Sequence, residues 1–248
     1  MFLVYFCAAE HAYKAAMSKK ELVDFEIYEL SEFWELLTEE QRDAVRKNHS
    51  IQFYKKNEII YSEGDEARNI MCLLKGKVKI YKEGVGGRSQ IIRMIRPVQY
   101  FGYRAFFATE PYVTSAAAFE SSTVVFIPME VICRFVEENN KIAMFLIREL
   151  SVDLGIADER TVTLTQKHIR GRLAEALLVL KDKYGYEEDN LTLSIFLSRE
   201  DLAGLSNMTT SNAIRTLSNF ATEKLIIVDG RKILILDEEK LRRISRIG

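Results

Sequence analysis

The sequence predicts an α+β chain: an antiparallel β-roll, then one long helix, then a C-terminal winged helix-turn-helix. Three observations carry this. Short β-rich runs broken by glycine fill residues 51–128. A heptad pattern runs through 143–164. Two short amphipathic patterns precede an Asp-Gly turn near the C-terminus.

The 248 residues suit one large domain or two small ones. Apolar residues make up 48% and charged residues 29%, a globular composition. Net charge is −1, so no global basic field announces nucleic acid. Residues 166–248 carry 14 Lys and Arg against 12 Asp and Glu, a net of +2, which leaves −3 for the rest. That asymmetry permits a local basic face and no more. Cys7, Cys72 and Cys133 are odd in number and far apart, with no CxxC. This argues against a disulfide framework and against a zinc or iron–sulfur site, and favours buried free thiols in a reducing cytoplasm. No run of about 18 apolar residues exists, so a membrane is not an expected partner.

The opening "MFLVYFCAAEHAYKAAMSKK" is apolar but lacks the basic start of a signal peptide. Met17 begins "MSKKELVDFEIYELSEFW", which reads like a natural start. Residues 1–16 read either as the product of a misassigned upstream start or as a helical arm.

Residues 31–48 read as helix, with the capping-box spacing Thr38–Gln41 and an apolar face of Trp34, Leu37 and Val45. In "NIMCLLKGKVKIY" the residues Ile70, Cys72 and Leu74 alternate, then Val78 and Ile80 alternate after a turn at Gly76. "GVGG" at 84–87 is a hairpin tip. "TSAAAFESSTVVFIP" adds a strand pair, and Pro128 ends the β region. "MEVICRFVEEN" is a short helix.

A long helix follows from about Lys141 to Leu164. Ala143, Ile147, Leu150, Leu154, Ala157, Thr161 and Leu164 step by alternating fours and threes along it. A core helix shows the same seam. Arg148, Glu149, Asp153, Asp158, Glu159 and Arg160 leave the rest polar, which favours a parallel helix pair across a homodimer.

Residues 168–184 form an amphipathic helix. Then come a helix at 199–205 capped by Ser198, a turn at 206–208, and a helix at 209–222 capped by Thr209. Strands at 225–228 and 232–236 flank "DGRK". This is the pattern of a winged helix-turn-helix, whose second helix enters the DNA major groove. Ala213, Ile214 and Leu217 are expected to face inward. Thr210, Ser211, Asn212, Arg215 and Ser218 are expected to face out, where Asn pairs with adenine, Arg with guanine or phosphate, and Ser or Thr with either. A solvated helix in an enzyme's small domain has the same composition.

Over roughly residues 25–247 the chain resembles the cyclic-AMP receptor protein/FNR (CRP/FNR) family of bacterial transcription regulators. The resemblance rests on the order of "GDEARNIMCLLKGKVKIY", "FG" at 101–102, the long helix, "GRLAEALLVL" and "LSREDLAGLSNMTTSNAIRTLSNFATEKLIIVDGRKILIL". It implies a cyclic-nucleotide-binding-like roll, a double-stranded β-helix, as sensor. It also implies a homodimer on a palindromic site in double-stranded DNA, with RNA polymerase as a further partner. The expected organisation is an N-terminal extension at 1–30, a sensor roll at 31–140, a dimerisation helix at 141–165 and a DNA-binding domain at 166–248. Ser198, Arg199, Thr209, Thr210, Ser211, Asn212, Arg215, Arg231 and Lys232 are the DNA-binding candidates. Ile147, Leu150, Leu154, Ala157, Thr161 and Leu164 are the interface candidates. Only Arg215 matches the family's pattern directly; Thr210 and Ser211 replace its Arg-Glu pair, so the target sequence should differ.

The family's cyclic-nucleotide members hold the phosphate with an Arg-Ser pair and the ribose with a Glu after "FG". Here Tyr103 stands at the Glu position. Val113 or Thr114 stands for the Arg, and Ser115 is retained. Ala157 and Asp158 replace the adenine-contacting Thr-Ser pair. Losing a charge-assisted bond to a buried phosphate costs about 1.5–3 kcal/mol, so cyclic AMP is not expected to bind in the usual mode. Arg104 is the nearest alternative cation, which leaves a different anionic small-molecule effector open. Phe106 and Phe107 are candidates to fill the pocket instead. No cofactor or metal is expected: Cys7 alone stands where the FNR branch clusters cysteines, and His11, His49 and His168 read as surface or capping residues rather than haem ligands. Two other classes compete. A ligand-binding module that regulates a partner protein should expose Leu, Phe or Met along 209–220. An enzyme should show HExxH, a Walker loop or GxSxG, and none is present.

Overall fold

The computed structural model describes residues 31–84 and 87–247. Cys7, His11, the N-terminal extension and the 84–87 tip residues Val85 and Gly86 lie outside or partly outside that range. The described residues divide into two compact units, 31–80 with 94–149, and 81–93 (without the tip) with 150–247.

The described part of the first unit begins with two helices, α1 (Glu32–Leu36) and α2 (Glu39–Asn48), where the sequence suggested one. The break is Thr38. Its hydroxyl accepts from Gln41 N while the Gln41 side chain accepts from Thr38 N, a reciprocal cap that starts a new helix. Strands β1 (Ser50–Tyr54), β3 (Asn69–Lys75), β6 (Tyr100–Phe101) and β8 (Ser122–Pro128) form one sheet in the order β1-β8-β3-β6, with antiparallel pairs. Strands β2 (Ile59–Tyr61), β7 (Ser115–Ala118), β4 (Val78–Glu83) and β5 (Ser89–Ile95) form the second, in the order β2-β7-β4-β5. A short helix α3 (Arg104–Phe107) follows β6, and α4 (Met129–Glu138) follows β8.

The roll core packs Met71, Leu73, Phe101 and Val124 with Tyr61, Val78, Ile80, Ile95, Tyr112 and Ala116. Alternation predicted one buried face for β3, yet Ile70 through Leu74 are all buried. Helix α4 packs on the outer side of β3 and β8, which removes the solvent face. Gly76 turns β3 into β4 at φ +90°. A Cβ there would meet the Ser121 carbonyl and lie 2.8 Å from Ser122 Cα. Both are backbone atoms that cannot rotate away. Gly76→Ala should therefore lower the unfolding free energy of the full chain by about 2 kcal/mol or more, read by chemical denaturation.

Helix α5 (Asn140–Gln166) buries only Ile142, Phe145 and Leu146, all in its first two turns. The second unit continues with α6 (Ile169–Tyr184), α7 (Arg199–Leu205), α8 (Thr210–Thr222), β9 (Ile226–Asp229), β10 (Lys232–Ile235) and α9 (Glu238–Ile247). Asp229 pairs with Lys232, so the two-residue turn is Gly230–Arg231, with Gly230 at φ +55°. Glycine thus takes the first central position rather than the second. Residues 191–193 add backbone bonds to the wing: Leu193 N donates to Ile233 O, and Ile235 N to Leu191 O. Helix α9 was not anticipated. Its signals are present: Asp237 accepts from Lys240 N, acidic residues fill the first turn, and Leu241 is fully buried. It packs against α6, tied to it by the bond from Lys181 to Glu238 (3.0 Å).

Candidate nucleic-acid interface

The site is built on α7, the turn 206–208 and α8. Ser198 starts α7: its hydroxyl accepts from Asp201 N at 3.0 Å and donates to the Asp201 carboxylate at 2.5 Å. Leu202 and Ala203 are buried. Ser206 donates to Leu202 O at 2.5 Å, and Met208 N returns to Ala203 O at 3.0 Å, which closes the turn. Thr209 then caps α8 by accepting from Asn212 N at 3.2 Å.

The buried stripe of α8 is Ala213, Thr216, Leu217 and Phe220. This corrects the expected inward set. Ile214 is 47% exposed, while Thr216 is 5% exposed with its hydroxyl bonded to Asn212 O at 2.8 Å. The outer face carries Thr210, Ser211, Ile214, Arg215 and Ser218. Asn212 is half-buried, and its side-chain oxygen accepts from the Arg215 guanidinium at 3.0 Å.

The remaining candidates divide. Arg199 donates to Gly230 O at 2.8 Å, so it ties α7 to the wing tip. Ser198 and Thr209 spend their hydroxyls on caps. Arg231 and Lys232 are exposed on the wing, with the Lys232 ammonium 5.9 Å over the Phe196 ring.

Sequence reasoning missed Arg160, which it counted among the polar positions of the long helix. Its guanidinium donates to Ile92 O at 2.9 Å, to Leu205 O at 3.1 Å and to Ile91 O. Burial lowers its pKa. It therefore joins the β4–β5 hairpin to the C-terminal end of α7. Arg93 of the same hairpin pairs with Asp153 on α5. Burial raises the Asp153 pKa, and Arg93 opposes that rise. Gly204 completes the join: a Cβ there would lie 2.8 Å from Ser89 O.

In the first unit the roll interior holds protein. Tyr61 and Tyr112 stack at 3.9 Å between centroids, and burial raises the Tyr112 pKa. Tyr103 is 2% exposed. Ser115 Oγ accepts from Glu63 N at 2.9 Å, and Thr114 beside it is half-buried. Arg104 lies outside the core and pairs with Glu110 at 2.6 Å, so it does not supply an interior cation. Phe106 packs on the core, but Phe107 is 41% exposed and does not fill it. Ala157 and Asp158 are exposed on α5 in the second unit. An open cleft of about 910 Å³ is lined by Glu66, Arg68, Glu110 and Glu130, three carboxylates against one guanidinium, a poor match for an anion. Cys72 is fully buried, which pushes its thiol up to about 12. Among the described residues no group of three His, Cys, Asp or Glu side chains converges on a metal site.

Residues 51–139 match the cyclic nucleotide-binding domain family, and residues 171–244 match the Crp-like helix-turn-helix domain family. The chain belongs to the CRP/FNR family. A CRP-like cAMP-activated global transcriptional regulator of Mycobacterium tuberculosis is 25% identical over 194 residues, 78% of this chain and 87% of that protein. The global nitrogen regulator of Nostoc is 24% identical over 188 residues, 75% of this chain and 84% of its own. The solved structure of FixK2 from Bradyrhizobium japonicum matches with a TM-score of 0.72 and 22% identity, over 79% of this chain and 97% of that one. This member of the CRP/FNR family is therefore a transcriptional regulator with a helix-turn-helix DNA-binding domain. Among its described residues no helix is long and apolar enough to cross a membrane.

Proposed function

We propose that this CRP/FNR regulator is a homodimer that binds a palindromic DNA site without cyclic AMP held in the usual mode. The carrying observation is the outer face of α8, where Thr210, Ser211, Arg215 and Ser218 project together. A protein-docking helix would need an apolar stripe there, but Leu217 is buried and only Ile214 of the stripe is exposed. This favours DNA over a partner protein, and regulation over catalysis. The exposed seam of α5 supports the dimer: Ile147 is 53% and Leu154 63% exposed in the single chain.

The stacked Tyr61–Tyr112 pair and the engaged Ser115 hydroxyl support a roll whose interior is filled by its own side chains. RNA polymerase is the second macromolecular partner in this reading, since some matched relatives are named transcriptional activators. A buried, protonated Cys72 fits a reducing cytoplasm.

Selection of bound duplexes from a random library, with purified protein and no added ligand, tests the reading. An enriched palindrome is expected; failure to enrich any sequence would remove it. On the selected site, Arg215→Ala should weaken specific binding by about 1–3 kcal/mol. Asn212→Ala should lose a smaller part of that through the freed guanidinium. Unchanged affinity for Arg215→Ala in a fluorescence anisotropy titration would take Arg215 out of the readout.

A further inference from the structure

We infer that Ile214 reads a thymine methyl group in the target site, as a specificity-determining residue beside Arg215. This rests on the DNA-binding reading above. Ile214 is 47% exposed, and its neighbours one turn away, Thr210 and Ser218, are exposed too. Helix α8 thus places a β-branched apolar side chain in the middle of its polar outer face.

Local physics gives no reason for that choice. Isoleucine is a poorer helix former than alanine, so an exposed Ile adds nothing to α8 itself. Burial gives none either. Thr216 takes a core position at 5% exposure while Ile214 stays out, so the helix buries a hydroxyl and exposes a butyl group. A single exposed apolar residue is ordinary on a surface. Here it is ringed by four groups that match base edges and phosphates: Thr210, Ser211, Arg215 and Ser218. The one apolar feature on the floor of the major groove is the C5-methyl of thymine. An aliphatic side chain at that height has no other complementary group in the groove. Ile214 and Arg215 are consecutive on α8, and Arg215 is bonded to Asn212 at 3.0 Å, so the methyl and the arginine contact are expected close together in the site.

The test uses the full-length protein and its selected duplex, with each thymine replaced in turn by deoxyuridine. That change removes one methyl and keeps every hydrogen-bonding group. At one thymine per half-site the wild type should lose about fourfold in affinity, the value of one buried methyl. Ile214→Ala, which removes the contact in both half-sites, should bind the thymine duplex about 15-fold more weakly and show no further loss on that deoxyuridine duplex. Alanine at an exposed helical position keeps the fold, which circular dichroism checks. A wild type indifferent to every deoxyuridine overturns the inference, as does a penalty that persists in Ile214→Ala. Both outcomes leave DNA binding standing. Absence of any enriched duplex would instead remove the DNA-binding reading together with this one.

Discussion

Phe220→Ala is expected to unfold the second unit first, lowering its stability by about 3–5 kcal/mol. Phe220 is fully buried and among the largest such side chains in the chain. Three features meet at this position. It ends the buried stripe of α8, beneath Ala213 and Leu217. Its carbonyl accepts from Leu225 N at 2.9 Å, which turns the chain from α8 into β9. The Arg170 guanidinium lies 4.9 Å over its ring and is held there by Glu223 at 2.7 Å. Glu223 has its pKa lowered by that bond. Removing the ring leaves a cavity at the meeting point of α6, α8 and the wing, and the surrounding backbone can close it only by moving α8. DNA affinity should fall with stability, because the recognition face moves with the helix. Urea denaturation followed by hydrogen exchange of α8 amides reads both. An unchanged midpoint, with α8 amides as protected as in the wild type, would show that the wing and α6 hold the helix without it.

Local signals carried far along this chain. The caps at Thr38, Ser198 and Thr209 all formed, and α7 and α8 begin where their capping residues place them. Such signals act within three or four residues and need no knowledge of the fold. What failed was longer-range. The outward Ile214 could not be read from periodicity, because a helical template ranks positions by polarity and places isoleucine inward by default. The hydrophobic choice at 216 was a threonine that satisfies itself on Asn212 O. Arg160 was illegible for a different reason. Its acceptors Ile91 and Leu205 lie 69 and 45 residues away in sequence, and carbonyl groups leave no compositional trace. The filling of the roll depended likewise on Tyr61 and Tyr112, 3.9 Å apart as rings but on separate strands and loops. Phe107 was a reasonable candidate on hydropathy alone, yet it projects outward from α3. Helix α9 and the 191–193 bridge were missed although their caps and alternation were present.

Leu154→Lys is expected to weaken the proposed dimer by about 100-fold or more. Helix α5 has 27 residues and buries only three of them, all near its start. Beyond those, Ile147 and Leu154 stand more than half exposed, with Leu150 and Leu164 partly so. A second copy in parallel would cover such a stripe, on a helix some 40 Å long, by symmetry. Leu154 lies mid-seam, so the two copies face each other across the axis. Each lost leucine forfeits about 1.5–3 kcal/mol of burial. The loss counts twice in a symmetric pair, and two ammonium groups then share the axis. Sedimentation equilibrium over a concentration series reads the dissociation constant directly. Val152 provides the control. It is 55% exposed on the same helix but about half a turn away from the seam, so Val152→Lys should leave the constant unchanged. A dimer undiminished by Leu154→Lys would sink the seam. A dimer broken by Val152→Lys alone would move the interface to the opposite face. If the seam holds, the Leu154→Lys chain should also lose its preference for a palindrome over a single half-site, since two recognition helices reach two half-sites only when α5 joins them.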